Sequence, residues 1–194
     1  MRPLTTADLM PLEQYARERP AFRARVMAHK KQRRLGVGPN TLWLFEDRLT
    51  VQYQIQEMLR TERIFEPGGI AEELSAYNPL IPDGMNWKVT LLVEFAEPEE
   101  RRLRLAQLKG IEDRCWVQVA GCARVYAIAD EDIERENAEK TSSVHFLRFE
   151  LDTVMQQRLT TGAAIAAGVD HDSYRHSLDP VPGSVRDALI SDLG

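Results

Sequence analysis

The stretch from Glu46 to Phe65, EDRLTVQYQIQEMLRTERIF, sets amides, a carboxylate and guanidinium groups at one-turn spacing along a helix. At 3.6 residues per turn Val51, Ile55, Met58, Leu59 and Phe65 share one face, while Arg48, Gln52, Gln56, Arg60 and Arg63 run along a flank with Tyr53, Glu57 and Ile64 nearby. Such a helix can bury its stripe and still present a polar edge. Guanidinium and amide groups one turn apart suit bidentate recognition of a carboxylate or phosphate, so Arg48, Gln52, Gln56, Glu57 and Arg60 are candidate ligand-binding residues lining a polar recess. The plainer account is a solvated flank, in which the Glu57–Arg60 pair adds ~0.2–0.5 kcal/mol.

A second chemistry would use the histidines, His29, His145, His171 and His176. No HExxH pair occurs, and His171 and His176 lie five apart with no cysteine beside them, so no local metal motif is present. A non-local centre would bring His29 and His145 to Glu57 or Glu94, since two imidazoles and a carboxylate suit zinc, manganese or non-haem iron. Against it stands the ordinary role of a lone histidine as a hydrogen-bonding residue.

Other chemistries find less support. The run Asp130 to Glu136 offers carboxylates to a hard cation, but Arg135 stands where an EF-hand needs glycine and Thr141 where it needs the bidentate glutamate. There is no Gly-x-Ser-x-Gly elbow. Gly36-Val37-Gly38-Pro39-Asn40 lacks the further glycines and the Lys-Ser/Thr ending of a phosphate loop, and it precedes a strand where those loops follow one. His29 to Arg34 is basic without interleaved aromatics, which reads as a solvated helix end more readily than as an RNA contact.

With 194 residues and 43% hydrophobic content the chain is long enough to bury one core, and a single domain, residues 1–194, is expected. A net charge of −5 argues against tight non-specific binding of polyanions. Residues Met1 to Asp8 lack the apolar core of a secretory signal, and Gly162 to Val169 is too short to cross a bilayer, so a cytoplasmic location is expected. Cys115 and Cys122 fall in a hairpin, Arg114–Val119 and Ala123–Ile128, where a tight turn opposes Val119 to Cys122; free thiols are expected.

The elements that must position these residues follow from periodicity and punctuation. Thr5 or Thr6 caps a short helix, and Pro11 and Pro20 each open a further one, giving a broken helical arm over residues 1–35. Thr41–Phe45 is a short strand, Ile70–Tyr77 a helix, Asn78–Gly84 a proline-bounded loop and Trp87–Phe95 a period-two strand. Pro98 to Leu108 is a helix closed by Gly110. Ser143–Leu151 is a strand whose Arg148 and Glu150 share parity with Val144 and Phe146, so its inward face is open. Asp152 caps a helix to Leu159, Ala163–Val169 is a strand, and Pro180–Leu193 is a C-terminal helix. The order points to an α+β fold, an antiparallel sheet packed with several helices.

Ala28-His29-Lys30-Lys31, Phe45 to Thr50, Gln56 to Arg60, Tyr77 to Gly84, Ala129 to Asp132 and Thr141 to Phe146 together resemble the bacterial domain-of-unknown-function family numbered 3501, over nearly the whole chain. That family carries no assigned activity or catalytic residue. The resemblance implies an association with peroxide or iron redox metabolism, with a rubrerythrin-like or iron–sulfur redox protein as partner. Three readings follow: a non-catalytic accessory or ligand-binding protein, a metal-dependent enzyme built on His29, His145 and Glu57 or Glu94, and a self-associating structural module.

Overall fold

The computed structural model describes residues 1–131 and 140–194. Thr5 and Asp8 form a reciprocal capping box around a 3-10 turn at Thr6–Asp8. Helix α1, Leu12–Lys30, then runs unbroken through Pro20, where two helices were expected. A proline inside a helix strands the carbonyl four residues earlier; here that residue, Ala16, and Pro20 itself are exposed, so water can take up the freed group. Arg34–Gly36 is strand β1 rather than the end of the arm, because it pairs with β2, Thr41–Phe45.

Helix α2, Arg48–Glu62, opens on Asp47, whose carboxylate accepts the Thr50 amide at 2.9 Å, and closes on Arg63 in the left-handed region. That early stop leaves Phe65 outside the helix and 66% exposed, so it does not extend the apolar stripe. Helix α3, Pro67–Tyr77, follows, then β3, Asn86–Val93, and α4, Pro98–Gln107. The cysteine hairpin is β4, Cys115–Val119, and β5, Arg124–Tyr126, and both thiols are free. The chain then changes sheets: Ala127 still donates to Cys115, whereas β6, Ile128–Ala129, pairs with β7, Val144–Glu150. Of the acidic run, Asp130 and Glu131 are described and the rest lies outside the described residues. Helix α5, Thr153–Thr160, capped by Asp152, leads to β8, Ile165–His171. Strand β9, Tyr174–Leu178, went unread in the sequence. Helix α6, Gly183–Ile190, ends the fold.

The strands form two antiparallel sheets, β1-β2-β3-β7-β6 and β5-β4-β8-β9, and with the helices they make an α+β fold. Period-two alternation sends Trp43, Phe45, Trp87, Val89, Leu91, Leu147 and Phe149 into a core shared with Cys115, Val117, Val119 and Val169 of the second sheet. This settles the parity of β7: His145, Leu147 and Phe149 face inward, and Val144, Phe146, Arg148 and Glu150 lie on the outer, half-buried face. That outer face is where α2 and α3 sit, joined to each other through Val51, Ile55, Leu59, Leu74 and Ile81. Tyr15, Phe22 and Val26 fasten α1 to Tyr53 on the neighbouring side of α2. Arg33, 2% exposed, forks onto Asp192 at 2.8 and 2.5 Å and so ties β1 to the C-terminal segment. No helix among the described residues is long and apolar enough to cross a membrane.

Candidate functional site

The nominated edge of α2 is gathered along one line, and what lies against it is the chain's own N-terminal segment. Gln56, fully buried, accepts from the Met10 amide at 2.6 Å and donates to the Met10 carbonyl at 3.3 Å. Gln52 donates to the Asp8 carbonyl at 2.5 Å. Arg48 stands 2.5 Å from the Asp8 carboxylate as an ion pair, although its Nε and Nη2 have no aligned hydrogen bond among the described residues. Glu57 accepts from Tyr15 Oη at 2.6 Å and from Arg19 Nε and Nη2 at 2.8 Å each, with Arg60 Nε at 3.6 Å. The Arg19 fork, helped by the Tyr15 hydroxyl, outweighs burial and holds the Glu57 carboxyl down at about 2. Burial and the adjacent Glu57 push the Tyr15 phenol well up. The polar edge acts as a clamp on the arm.

The four residues of the non-local metal reading are not brought together. His29 Nε2 lies 2.5 Å from Asp47 Oδ2 and 3.0 Å from Arg33 Nε; Glu57 belongs to the arm clamp; Glu94 is exposed just past β3. His145 is fully buried on β7 with different neighbours, Glu112 from the turn before β4 and Asp130 after β6. Asp130 adopts a left-handed backbone, φ 46°, and exchanges two hydrogen bonds with Phe146: its amide donates to the Phe146 carbonyl at 2.8 Å and its Oδ1 accepts the Phe146 amide at 2.9 Å. Its Oδ2 is thereby held 2.5 Å from His145 Nδ1. On the other side of the ring, Nε2 has Thr141 Oγ1 at 2.9 Å, the Ser142 carbonyl at 3.1 Å and Glu112 Oε2 at 3.7 Å. One donor per residue from Glu112, Asp130 and His145 can be chosen with all three within 4.8 Å.

On the opposite face of β7 the helices do not close down on the sheet. A hollow of ≈ 520 Å³ runs between them, walled by Met58, Tyr77, Pro79, Leu80 and Phe146 and carrying Glu73, Lys88, Glu131 and Arg148. A second hollow of ≈ 250 Å³ shares Tyr77, Leu80 and Phe146 with it and reaches Leu44, Glu46, Thr50, Gln54 and Thr90. Most of the charges here are committed. Arg148 holds Glu131 with two bonds at 2.7 Å and also holds Glu150; Glu46 accepts from Thr90 at 2.7 Å and from Thr50. Lys88 differs. Half-buried on the outer face of β3, its ammonium makes no hydrogen bond or ion pair with the described residues, and burial, then the nearby Arg148, lowers its affinity for the proton. Lys88, Phe146 and Arg148 escaped sequence reasoning, though the mixture of aromatic and charged residues at one parity of β7 marks a half-covered face. For Glu112, Asp130 and Thr141 the sequence holds no such mark, since the fold alone joins them to His145.

No curated protein matches the chain. It is similar to a novel protein of unknown function from Burkholderia pseudomallei K96243, known from a crystal structure, at 48% identity over 100% of both chains with a TM-score of 0.94. The family model described as "Protein of unknown function (DUF3501)" matches residues 3–193, and the chain belongs to that family.

Proposed function

We propose that the protein is a cytoplasmic ligand-binding protein that takes a monoanionic, largely apolar small molecule in the cleft between α2–α3 and the outer face of the first sheet. The observation that carries this reading is Lys88: a half-buried ammonium, unpaired among the described residues, in a hollow of ≈ 520 Å³ with apolar walls. A hollow of that size matches ligand sites generally, in which apolar walls supply affinity and few polar groups supply orientation. Desolvation penalises the bare ammonium, and a carboxylate or sulfonate placed against it removes that penalty. Glu73 and Glu131 on the same walls disfavour a second negative charge, which selects a monoanion over a phosphate ester. Of the three readings drawn from the sequence this is the ligand-binding one, moved from one side of α2 to another. The two free thiols suit a reducing compartment.

The test uses 8-anilino-1-naphthalenesulfonate, an apolar monoanion whose fluorescence rises on burial. Saturable one-site binding is expected, weakened at least tenfold in Lys88→Met and displaced competitively by medium-chain or aryl carboxylates. Binding left unchanged by both Lys88→Met and Phe146→Asp would overturn the proposal.

A further inference from the structure

We propose a divalent transition-metal site on the inner face of β7, with His145 Nε2, Glu112, the Thr141 hydroxyl and the Ser142 carbonyl as donors and Asp130 behind the ring as the residue that orients it. This site is separate from the cleft, and neither depends on the other. The distances carry it. Donors that share one ion at bonds of ~2.1 Å stand ~3.0 Å apart at octahedral angles and ~3.4 Å at tetrahedral ones. Around Nε2 the oxygens lie at 2.9, 3.1 and 3.7 Å, and Thr141 Oγ1 is 3.4 Å from Glu112 Oε2. Three oxygens of three chemical kinds, hydroxyl, carbonyl and carboxylate, therefore stand at or near ligand spacing from one imidazole nitrogen, inside a protein interior where His145 is 0% and Thr141 1% exposed.

The other ring nitrogen supports the same assignment. Metal-bound imidazoles characteristically give their second N–H to a carboxylate, which fixes the ring plane and strengthens the ligating nitrogen. Asp130 Oδ2, 2.5 Å from Nδ1, is in that position, and its two bonds to the Phe146 backbone keep it there. Nε2 therefore faces Thr141 Oγ1 and the Ser142 carbonyl, and an ion bound there would take the Nε2 lone pair, any hydrogen on that nitrogen passing to buffer. One imidazole nitrogen with carboxylate, hydroxyl and carbonyl oxygens suits Mn²⁺ or Zn²⁺ and disfavours Ca²⁺ and Mg²⁺, which take oxygen alone.

The test titrates untagged, chelator-stripped protein with Mn²⁺ and with Zn²⁺, each alone, by calorimetry. One ion per chain is expected, with affinity reduced at least tenfold in Glu112→Gln and 10–100-fold in Asp130→Asn. His145→Gln should abolish binding. If that variant misfolds, Glu112→Gln, judged folded by circular dichroism, still decides the matter. Binding of neither metal by the wild-type protein, or binding unaffected by Glu112→Gln and Asp130→Asn, would overturn the assignment.

Discussion

Arg33 and Asp192 are joined across 159 residues of sequence by two hydrogen bonds of 2.8 and 2.5 Å, with side-chain exposures of 2% and 1%. Burial pushes the Asp192 carboxyl up and the forked guanidinium works against it, so each group depends on the other for its charge. Removing one member of such a pair leaves a buried charge without its counter-ion, which costs about 3–5 kcal/mol. The two deletions are not equivalent. Arg33 Nε also stands 2.9 Å from Asp47 Oδ2, so Asp192→Asn leaves the guanidinium one carboxylate, whereas Arg33→Met strips both Asp192 and Asp47. Arg33→Met is therefore expected at the upper end of that range and Asp192→Asn at about 2–3 kcal/mol, the worth of hydrogen bonds to a charged group. For a chain of this length 1 kcal/mol moves the melting temperature by about 2–4 °C, so Arg33→Met, at about 5 kcal/mol, should lower it by about 10–20 °C. Urea unfolding gives the free energies and calorimetry the temperatures. The double variant Arg33→Met/Asp192→Leu should recover part of the loss, because no charge is then stranded. Equal costs for the two single variants, or a double variant as unstable as their sum, would refute the reasoning.

Glu57 is an acid latch on the arm: its carboxyl is depressed to about 2 in the fold, so its contribution is complete above the ordinary carboxylate range near 4.5 and fades as pH falls toward 2. Protection factors of the α1 amides, corrected for the intrinsic exchange rate at each pH, should fall across that window in the wild type and be low already at pH 6 in Glu57→Gln. Gln56→Ala leaves the Met10 amide and carbonyl without their side-chain partner, and urea unfolding should show a loss of about 1–3 kcal/mol. Gly168→Ala would set a Cβ 2.6 Å from Trp116 Cε2 and 2.8 Å from the His176 carbonyl oxygen, an overpacking worth about 1–3 kcal/mol in the same assay. A thiol reagent should label Cys122 and spare Cys115 in the native protein, since Cys115 is wholly buried and burial raises its thiol well above the ordinary range.

Strands with a clean alternation were legible: Trp87, Val89 and Leu91 announce β3 because one face of it is fully covered. So were helices with a proline or aspartate at the start, as at Pro98 and Asp152. Pro20 misled because propensity prices a proline by the lost hydrogen bond, and an exposed turn gives that carbonyl to water at little cost. Strand β9 was invisible because Arg175, His176 and Ser177 are exposed on a sheet edge, where burial writes no pattern. The helical edge Arg48, Gln52, Gln56, Glu57 and Arg60 was legible as a polar flank and read as the lining of a ligand recess. What met it was Met10, Asp8 and Arg19, and no periodicity encodes a contact 38 to 46 residues away.

Strand β7 explains why the informative residues of this chain divide as they do. A strand buried on both sides would be apolar throughout, yet β7 carries a histidine inward among Leu147 and Phe149, and an arginine and a phenylalanine outward. Each departure costs free energy unless a partner is supplied, and one carboxylate partner for each of the two charged departures comes from one short segment. Asp130, bent into the left-handed region, turns its carboxylate in to His145, while Glu131, the next residue, turns out to Arg148. A mainly structural network would use these bonds to fix the end of β6. It also asks for a partner at the far nitrogen, which Thr141 and the Ser142 carbonyl supply, but not for Glu112 beside them, nor for Lys88 left half-buried and without a described partner on the strand beside Arg148. Those two features lie on opposite faces of neighbouring strands, and they are the positions that the two proposed sites, the Lys88 cleft and the His145 metal centre, put to the test.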